Sequence, residues 1–134
     1  PSSLLESIPV ELPACLKAQE IQKAVAKVGF DWQEIEPVLA KVREELDEVS
    51  HELKRKDTEL AREEIGDLLF AVVNLARHVG GNAEQLLQDA NRKFSNRFSL
   101  VEKEVSQSSR NWEHWTLEEL DEIWNRAKTQ IHNI

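Results

Sequence analysis

Apolar residues recur in this chain at intervals of three and four, the period of helices, and nowhere alternate strictly as a half-buried strand would. Ile21, Ala24, Val25 and Val28 fall at i, i+3, i+4 and i+7, predicting a first helix over 13–28 with Gly29 as its C′ stop. Residues 1–12, broken by Pro9 and followed by Pro13, read as an extended lead-in. A second stripe is formed by Ile35, Val38, Leu39, Val42, Leu46, Val49 and Leu53. It predicts a helix with Asp31 as N-cap and Pro37 near its start, where proline is tolerated. A third helix runs from near Thr58 to about Val79, and from Leu68 to Ala76 it is apolar nearly all round. Asn74, Arg77 and His78 keep a narrow polar edge there. Such a helix is covered on several sides. One small domain has little to cover it with, so a second copy of the chain is the expected partner.

Gly80-Gly81 then breaks the pattern, and Asn82 with Gln85 has the spacing of a capping box. The fourth stripe is Leu86, Leu87, Ala90, Phe94, Phe98, Val101 and Val105, with Lys93 and Arg97 one turn apart on the same helix. Residues 106–115 read as a polar loop holding Trp112, His114 and Trp115. Thr116 with Glu119 forms a second capping box, opening a fifth helix that carries Trp124 and Lys128 at i, i+4. No segment reads as a strand or as a glycine-rich phosphate loop. The expected fold class is all-α, with about five helices.

A length of 134 residues fits one domain, taken as 13–134 after the lead-in. A net charge of −8 argues against a nucleic-acid partner, whose phosphates are held by Lys and Arg. The longest apolar run, Leu68 to Val73, is too short to span a bilayer, and the first residues do not read as a charged-then-apolar signal peptide. A single cysteine, Cys15, excludes an intrachain disulfide framework and fits a reducing cytosol, and it reads as a small packing residue. The sequence contains no methionine and begins Pro-Ser-Ser, as expected of a processed protein or of one domain of a longer one.

The candidate chemistry lies in two acidic clusters, Glu44-Glu45-x-x-Glu48 and Glu63-Glu64-x-x-Asp67. Carboxylates three residues apart share a helical face, with β-carbons roughly 5–6 Å apart, and like charges so placed destabilise a helix unless something positive neutralises them. On surface helices such a pattern is commonly a solvated face. Here it recurs, and at 100° per residue Lys41, Glu45, Glu48 and Glu52 fall together on one flank of the second apolar stripe. The second copy runs directly into the apolar segment. Carboxylates at a core edge are rarely left without a cation or partner, and Mg²⁺ suits carboxylate oxygens while keeping waters that a phosphate can displace. Lys41, Lys93, Arg97 and Lys128 are candidates to clamp phosphate oxygens. A di-iron bundle would use Glu-x-x-His twice. Only Glu48 to His51 matches, since His78, His114 and His132 lack a glutamate three residues earlier. No Ser or Cys nucleophile signature is present.

Lys41-x-x-Glu44-Glu45-x-x-Glu48 followed by Glu64-x-x-Asp67-Leu68-Leu69-Phe70 resembles the MazG nucleoside triphosphate pyrophosphohydrolases. The similarity extends over essentially the whole chain. Gln19-x-x-Gln22-Lys23 and Val28-Gly29-Phe30-Asp31-Trp32 look like the start of the C-terminal of two repeats in full-length bacterial MazG. Asn74 to His78, Lys93-Phe94 with Arg97-Phe98, and Trp124 with Lys128 also fall in register.

The resemblance implies a four-helix-bundle-like, all-α homodimer in the cytoplasm, the second domain of a longer protein. It implies cleavage of (d)NTPs to the nucleoside monophosphate and pyrophosphate, with Mg²⁺ as cofactor and Mn²⁺ as a substitute. Carried over by position, Glu45, Glu48, Glu64 and Asp67 are the metal-binding and catalytic carboxylates. Lys41, Glu44, Lys93, Arg97 and Lys128 lie on the substrate side, with Trp124 against the base or ribose. One position departs: where relatives can carry a lysine one turn before the second acidic pair, this chain has Leu60, and Arg62 sits on another helical face. Two alternatives stand beside this expectation, a related pyrophosphatase specific for one nucleotide and a non-catalytic helical module.

Overall fold

The computed structural model describes residues 3–130. Its elements are α1 (Ala14–Ala26), α2 (Ile35–Lys54), α3 (Thr58–His78), α4 (Ala83–Gln107), a short 3₁₀ turn (Trp112–His114) and α5 (Leu117–Gln130). There is no strand among the described residues, so the all-α expectation holds. The chain divides into two compact units, one up to Leu86 and one from Leu87 onward. His132 lies outside the described residues.

In the first unit, α2 and α3 fold back on each other as an αα-hairpin around the turn 55–57, and α1 lies against α3. Three helices of this unit stop in the same way. Gly29 (φ +90°) and Gly80 (φ +79°) take the left-handed conformation after α1 and α3, and Lys56 (φ +62°) does so after α2. Each is followed by an amide that reaches five residues back: Phe30 to the Val25 carbonyl at 3.0 Å, Asp57 to Glu52 at 3.0 Å, and Gly81 to Ala76 at 2.9 Å. These are Schellman stops, which satisfy carbonyls that a helix end leaves without partners.

Two buried glutamines tie α1 down. The Gln22 side-chain amide donates to the Phe70 carbonyl at 2.9 Å, in the middle of α3. Gln19 donates to the Gly81 carbonyl at 3.0 Å and accepts from the Ala83 amide at 2.7 Å, so it supplies a partner to the first amide of α4 from across the unit. The buried apolar side chains here are small: Val38, Val49, Ala61, Ala71, Val73 and Ala83.

The second unit closes α5 onto the C-terminal half of α4. Val101, Val105 and Ile123 form its core, flanked by Phe98, Trp115, Leu120 and Trp124. Arg126 grips Glu104 with both guanidinium nitrogens at 3.0 and 2.9 Å. Thr116 and Glu119 form the expected reciprocal capping box, the Glu119 carboxylate accepting from the Thr116 amide at 2.9 Å and the Thr116 hydroxyl oxygen from the Glu119 amide at 3.1 Å.

Several expectations are corrected. Asp31 does not cap α2; the N-cap is Glu34, which makes no side-chain cap bond. Residues 3–12 form successive turns, with Glu6 bonded to Ser3 and Ile8 to Leu5, and not an extended lead-in. Helix α1 ends at Ala26, so Val28 lies exposed beyond its stripe. In α2 the stripe is only partly inside: Leu53 is 56% exposed, whereas its neighbour Glu52 is 6% exposed. Glu52 tolerates that position because the Arg55 guanidinium bonds both its oxygens, at 2.9 and 3.3 Å.

Candidate functional site

The α2–α3 hairpin brings the two acidic clusters together. Glu45 from α2 and Glu64 and Asp67 from α3 each offer a carboxylate oxygen within 4.8 Å of the others. Glu45 and Glu64 are half-buried and Asp67 is exposed. Burial pushes the Glu64 carboxyl above its ordinary range, and the charges of Glu48, Asp67 and Glu45 and a hydrogen bond with Glu45 push it the same way. That is the electrostatic signature of carboxylates crowded beyond what the protein's own cations balance. Hard oxygen donors converging from two helices match the needs of a divalent cation such as Mg²⁺.

Glu48, exposed on α2, stands outside this trio, although its charge reaches Glu64. Lys41 lies along its own helix, 3.0 Å from Glu44 and 3.2 Å from Glu45, and both carboxylates raise its pKa. It is thus the partial counter-ion of one member of the trio, while Glu64 and Asp67 have no ion-pair partner among the described residues. An open hollow of about 750 Å³ runs along the polar face of α2, lined by Ala40, Arg43, Glu44, Asp47, Glu48 and His51. Leu60 is exposed at the first turn of α3, its amide held by the Asp57 cap at 3.0 Å, and it brings no cation.

Lys93, Arg97, Trp124 and Lys128 belong to the second unit. Arginines 92, 110 and 126 of that unit are each paired with a carboxylate, at 3.2, 3.0 and 2.9 Å. Lys93, Arg97 and Lys128 have no such partner among the described residues, and the buried Nε of half-buried Arg97 lacks any hydrogen-bond acceptor. Trp124 packs against Phe94, with ring centroids 4.9 Å apart. Phe94 in turn stacks on Phe98, and Phe98 on Trp112. The helical period assigns Phe94 to the core stripe, yet the residue is 58% exposed.

A further cluster joins two segments that the sequence pattern leaves separate. Asp31, in the loop before α2, accepts from the Arg77 guanidinium at 2.8 Å and lies 2.8 Å from Nε2 of His78. Arg77 also donates to Asn74 at 3.1 and 2.9 Å. Burial alone would raise the Asp31 pKa, but the hydrogen bonds from Arg77 and His78 and the Arg77 charge outweigh it and hold the carboxyl below its usual range. No local motif announces a pairing across this span of sequence.

Residues 33–102 match the family model of the MazG nucleotide pyrophosphohydrolase domain. The chain is 48% identical over 130 residues to the nucleoside triphosphate pyrophosphohydrolase of Escherichia coli K12, covering 96% of this chain and 49% of that protein. It is 39% identical over 127 residues to the nucleoside triphosphate pyrophosphohydrolase/pyrophosphatase MazG of Thermotoga maritima, covering 95% of this chain and 49% of the relative. The uncharacterized protein YabN of Bacillus subtilis is 42% identical over 134 residues, covering 95% of this chain and 26% of YabN. The chain therefore spans about half the length of the first two relatives.

Proposed function

Since the chain belongs to the MazG nucleotide pyrophosphohydrolase family, whose model matches residues 33–102 of its 134, we propose that it hydrolyses (d)NTPs to the nucleoside monophosphate and pyrophosphate. The observation that carries this reading is the convergence of Glu45, Glu64 and Asp67 from the two arms of one hairpin. These three, with Glu48 alongside, hold Mg²⁺, or Mn²⁺ in its place. When bound, the ion supplies charge neutralisation at the phosphates and activation of water.

The chain's own residues do the rest. Burial and the charges of Glu48, Asp67 and Glu45 raise the Glu64 carboxyl, and a cation held there would favour its ionised form. Lys41, with Glu44 as its second partner, pairs with Glu45, holds its carboxylate in place and lies on the substrate side. Lys93, Arg97 and Lys128 hold the β- and γ-phosphates, where negative charge grows as pyrophosphate departs. Trp124 lies against the nucleoside. The sequence has no glycine-rich loop of the kind that cradles β- and γ-phosphates for terminal transfer, which supports attack at the α-phosphorus. We place the enzyme in the cytoplasm with its nucleotide substrates, acting as a homodimer, with neither nucleic acid nor membrane as partner. Among the described residues no helix is long and apolar enough to cross a membrane.

Product analysis tests the reading. With ATP and Mg²⁺ in heavy-oxygen water, AMP and pyrophosphate are the expected primary products, with the label in AMP. Label in pyrophosphate would place the attack on the β-phosphorus, and ADP with inorganic phosphate would refute the assignment.

A further inference from the structure

The α2–α3 hairpin is joined directly at one end only. There the turn 55–57 links the arms, with the Asp57 amide on the Glu52 carbonyl at 3.0 Å and the Arg55 guanidinium on the Glu52 carboxylate at 2.9 Å. At the other end, Ile35 opens α2 and His78 closes α3, and the N-cap of α2, Glu34, makes no side-chain cap bond. The Asp31 cluster spans this open end. A single carboxylate oxygen, Oδ1 of Asp31, lies 2.8 Å from an Arg77 guanidinium nitrogen, 2.8 Å from Nε2 of His78 and 2.9 Å from the Trp32 amide. So close to a carboxylate, the His78 Nε2 carries a proton. Asn74 accepts from the same guanidinium at 3.1 and 2.9 Å, which holds the Arg77 fork in place for Asp31.

The acidic trio lies midway between the two ends. Glu45 is ten residues from Ile35 and nine from Lys54, while Asp67 is nine from Thr58 and eleven from His78. At 1.5 Å per residue either end is about 15 Å away, so an arm pivoting on the turn moves its carboxylates by about half the displacement of its open end. The buried apolar residues of the two arms are Val38, Val49, Ala61, Ala71 and Val73. Side chains this small make shallow ridges, which fix the slide and rotation of paired helices weakly. Mg²⁺ tolerates little of that slack. It demands near-octahedral geometry at roughly 2.0–2.1 Å, whereas Ca²⁺ accepts flexible coordination at roughly 2.3–2.6 Å.

We propose that Asp31, clamped by Arg77 and His78, is a positioning residue of the metal centre: it closes the open end of the hairpin, so that Glu45 meets Glu64 and Asp67 at the spacing Mg²⁺ requires. It acts through the two helices and contacts no reacting group. The proposal rests on the metal reading above and adds to it the residues that make the site selective for a small ion.

Mn²⁺ binding to the metal-free protein tests it without turnover, read from the electron paramagnetic resonance signal of the free ion. Displacement of Mn²⁺ by Mg²⁺ and by Ca²⁺ then gives both affinities, at a temperature well below the melting point of every variant. The control is Asp57→Ala, which removes the N-cap of α3 and so destabilises the same hairpin at its joined end. Asp31→Ala is expected to bind Mg²⁺ about ten-fold more weakly, the usual effect of losing a group that orients metal ligands. Ca²⁺ should lose less, so the preference for Mg²⁺ over Ca²⁺ falls. Asp31→Asn keeps an acceptor but not the charge; it is expected to fall between, and it carries the comparison where the alanine variant does not fold. Asp57→Ala is expected to keep the wild-type affinities. Unchanged Mg²⁺ affinity in the Asp31 variants, equal losses for the two ions, or the same loss in Asp57→Ala would reduce Asp31 to a stabilising contact and overturn the proposal. A wild type that holds no Mn²⁺ would sink the metal reading itself, and this inference with it.

Discussion

At Asp31 two opposing effects act on one carboxyl: burial disfavours its charge, and Arg77 and His78 favour it more strongly. Its folded pKa is therefore depressed, so its contribution to stability is present above the unfolded value near 4 and is lost as pH falls through the folded one. Asp31→Asn is expected to destabilise the fold by about 1–3 kcal/mol at neutral pH, the worth of hydrogen bonds to a charged group. The gap to wild type should close as the pH falls below about 4 in urea-unfolding series. A gap independent of pH would mean that the Asp31 charge is not what matters. Glu64 has the opposite sign. Its folded pKa is raised, so full stability is present below the unfolded value and is lost as pH rises through the folded one. Glu64→Gln should thus raise the melting temperature of the metal-free protein at neutral pH while abolishing turnover and the upward melting shift given by Mg²⁺. A variant that keeps that shift would remove Glu64 from the metal site. The spacing of carboxylates made this trio legible, because i, i+3 acids on two consecutive helices are visible in the one-dimensional pattern. The Asp31 cluster was not legible as a cluster, because its partners lie on the far end of α3 and no periodicity links them. The Lys41 pairs with Glu44 and Glu45 follow the i, i+3 and i, i+4 spacing visible in the sequence.

Helix ends were the most readable elements of the fold where a side chain or a glycine creates the stop locally. Gly29, Gly80, Asn82 and the Thr116–Glu119 box all act where the pattern places them. The start of α2 was misread because its N-cap, Glu34, makes no side-chain cap bond, while Asp31 is engaged by Arg77 and His78. Burial along the stripes was overestimated for a different reason: periodicity gives the face of a helix, and what lies opposite that face decides how deep it is covered. The turn after α2 offers a direct test of stop chemistry. Lys56 adopts the left-handed conformation that Gly29 and Gly80 adopt in the same motif, and a Cβ there costs roughly 1–2 kcal/mol. Glycine removes that strain but adds freedom to the unfolded chain, worth about 0.4–1 kcal/mol. Lys56→Gly should therefore stabilise the protein by about 0.5–1 kcal/mol. Lys56→Ala should give no such gain, since it keeps the Cβ. Equal melting temperatures for the two variants would contradict a strained turn at this position.

For the molecule as a whole, the first unit buries small side chains and leaves large ones open. Its fully covered apolar residues are valines and alanines, while Leu46, Ile65, Leu69, Phe70 and Val72 of α2 and α3 are exposed, Leu69 by 62%. A helix that is apolar nearly all round, with much of that surface uncovered in one chain, supports the proposed pairing with a second copy. A second copy of the same hairpin is the simplest complement, because two-fold pairing places one self-complementary surface against itself. Two hairpins would then supply the four helices of a bundle, each chain contributing α2 and α3. Leu69→Asp separates this from a monomer by magnitude. On a chain acting alone Leu69 is a surface position, and the change should fall within about 0.5 kcal/mol of neutral. Buried against a second copy, an unpaired carboxylate should cost about 3–5 kcal/mol. Folding coupled to association also makes the melting temperature depend on protein concentration. The wild type is therefore expected to scatter light as a dimer at micromolar concentration and to melt higher as it is concentrated. Leu69→Asp is expected to lose both properties, and the Mg²⁺-dependent turnover with them if the hairpin geometry needs its partner. A wild type that is monomeric with a concentration-independent melt, or a Leu69→Asp protein as stable as the wild type, would leave the exposed face of α3 without a second copy to cover it.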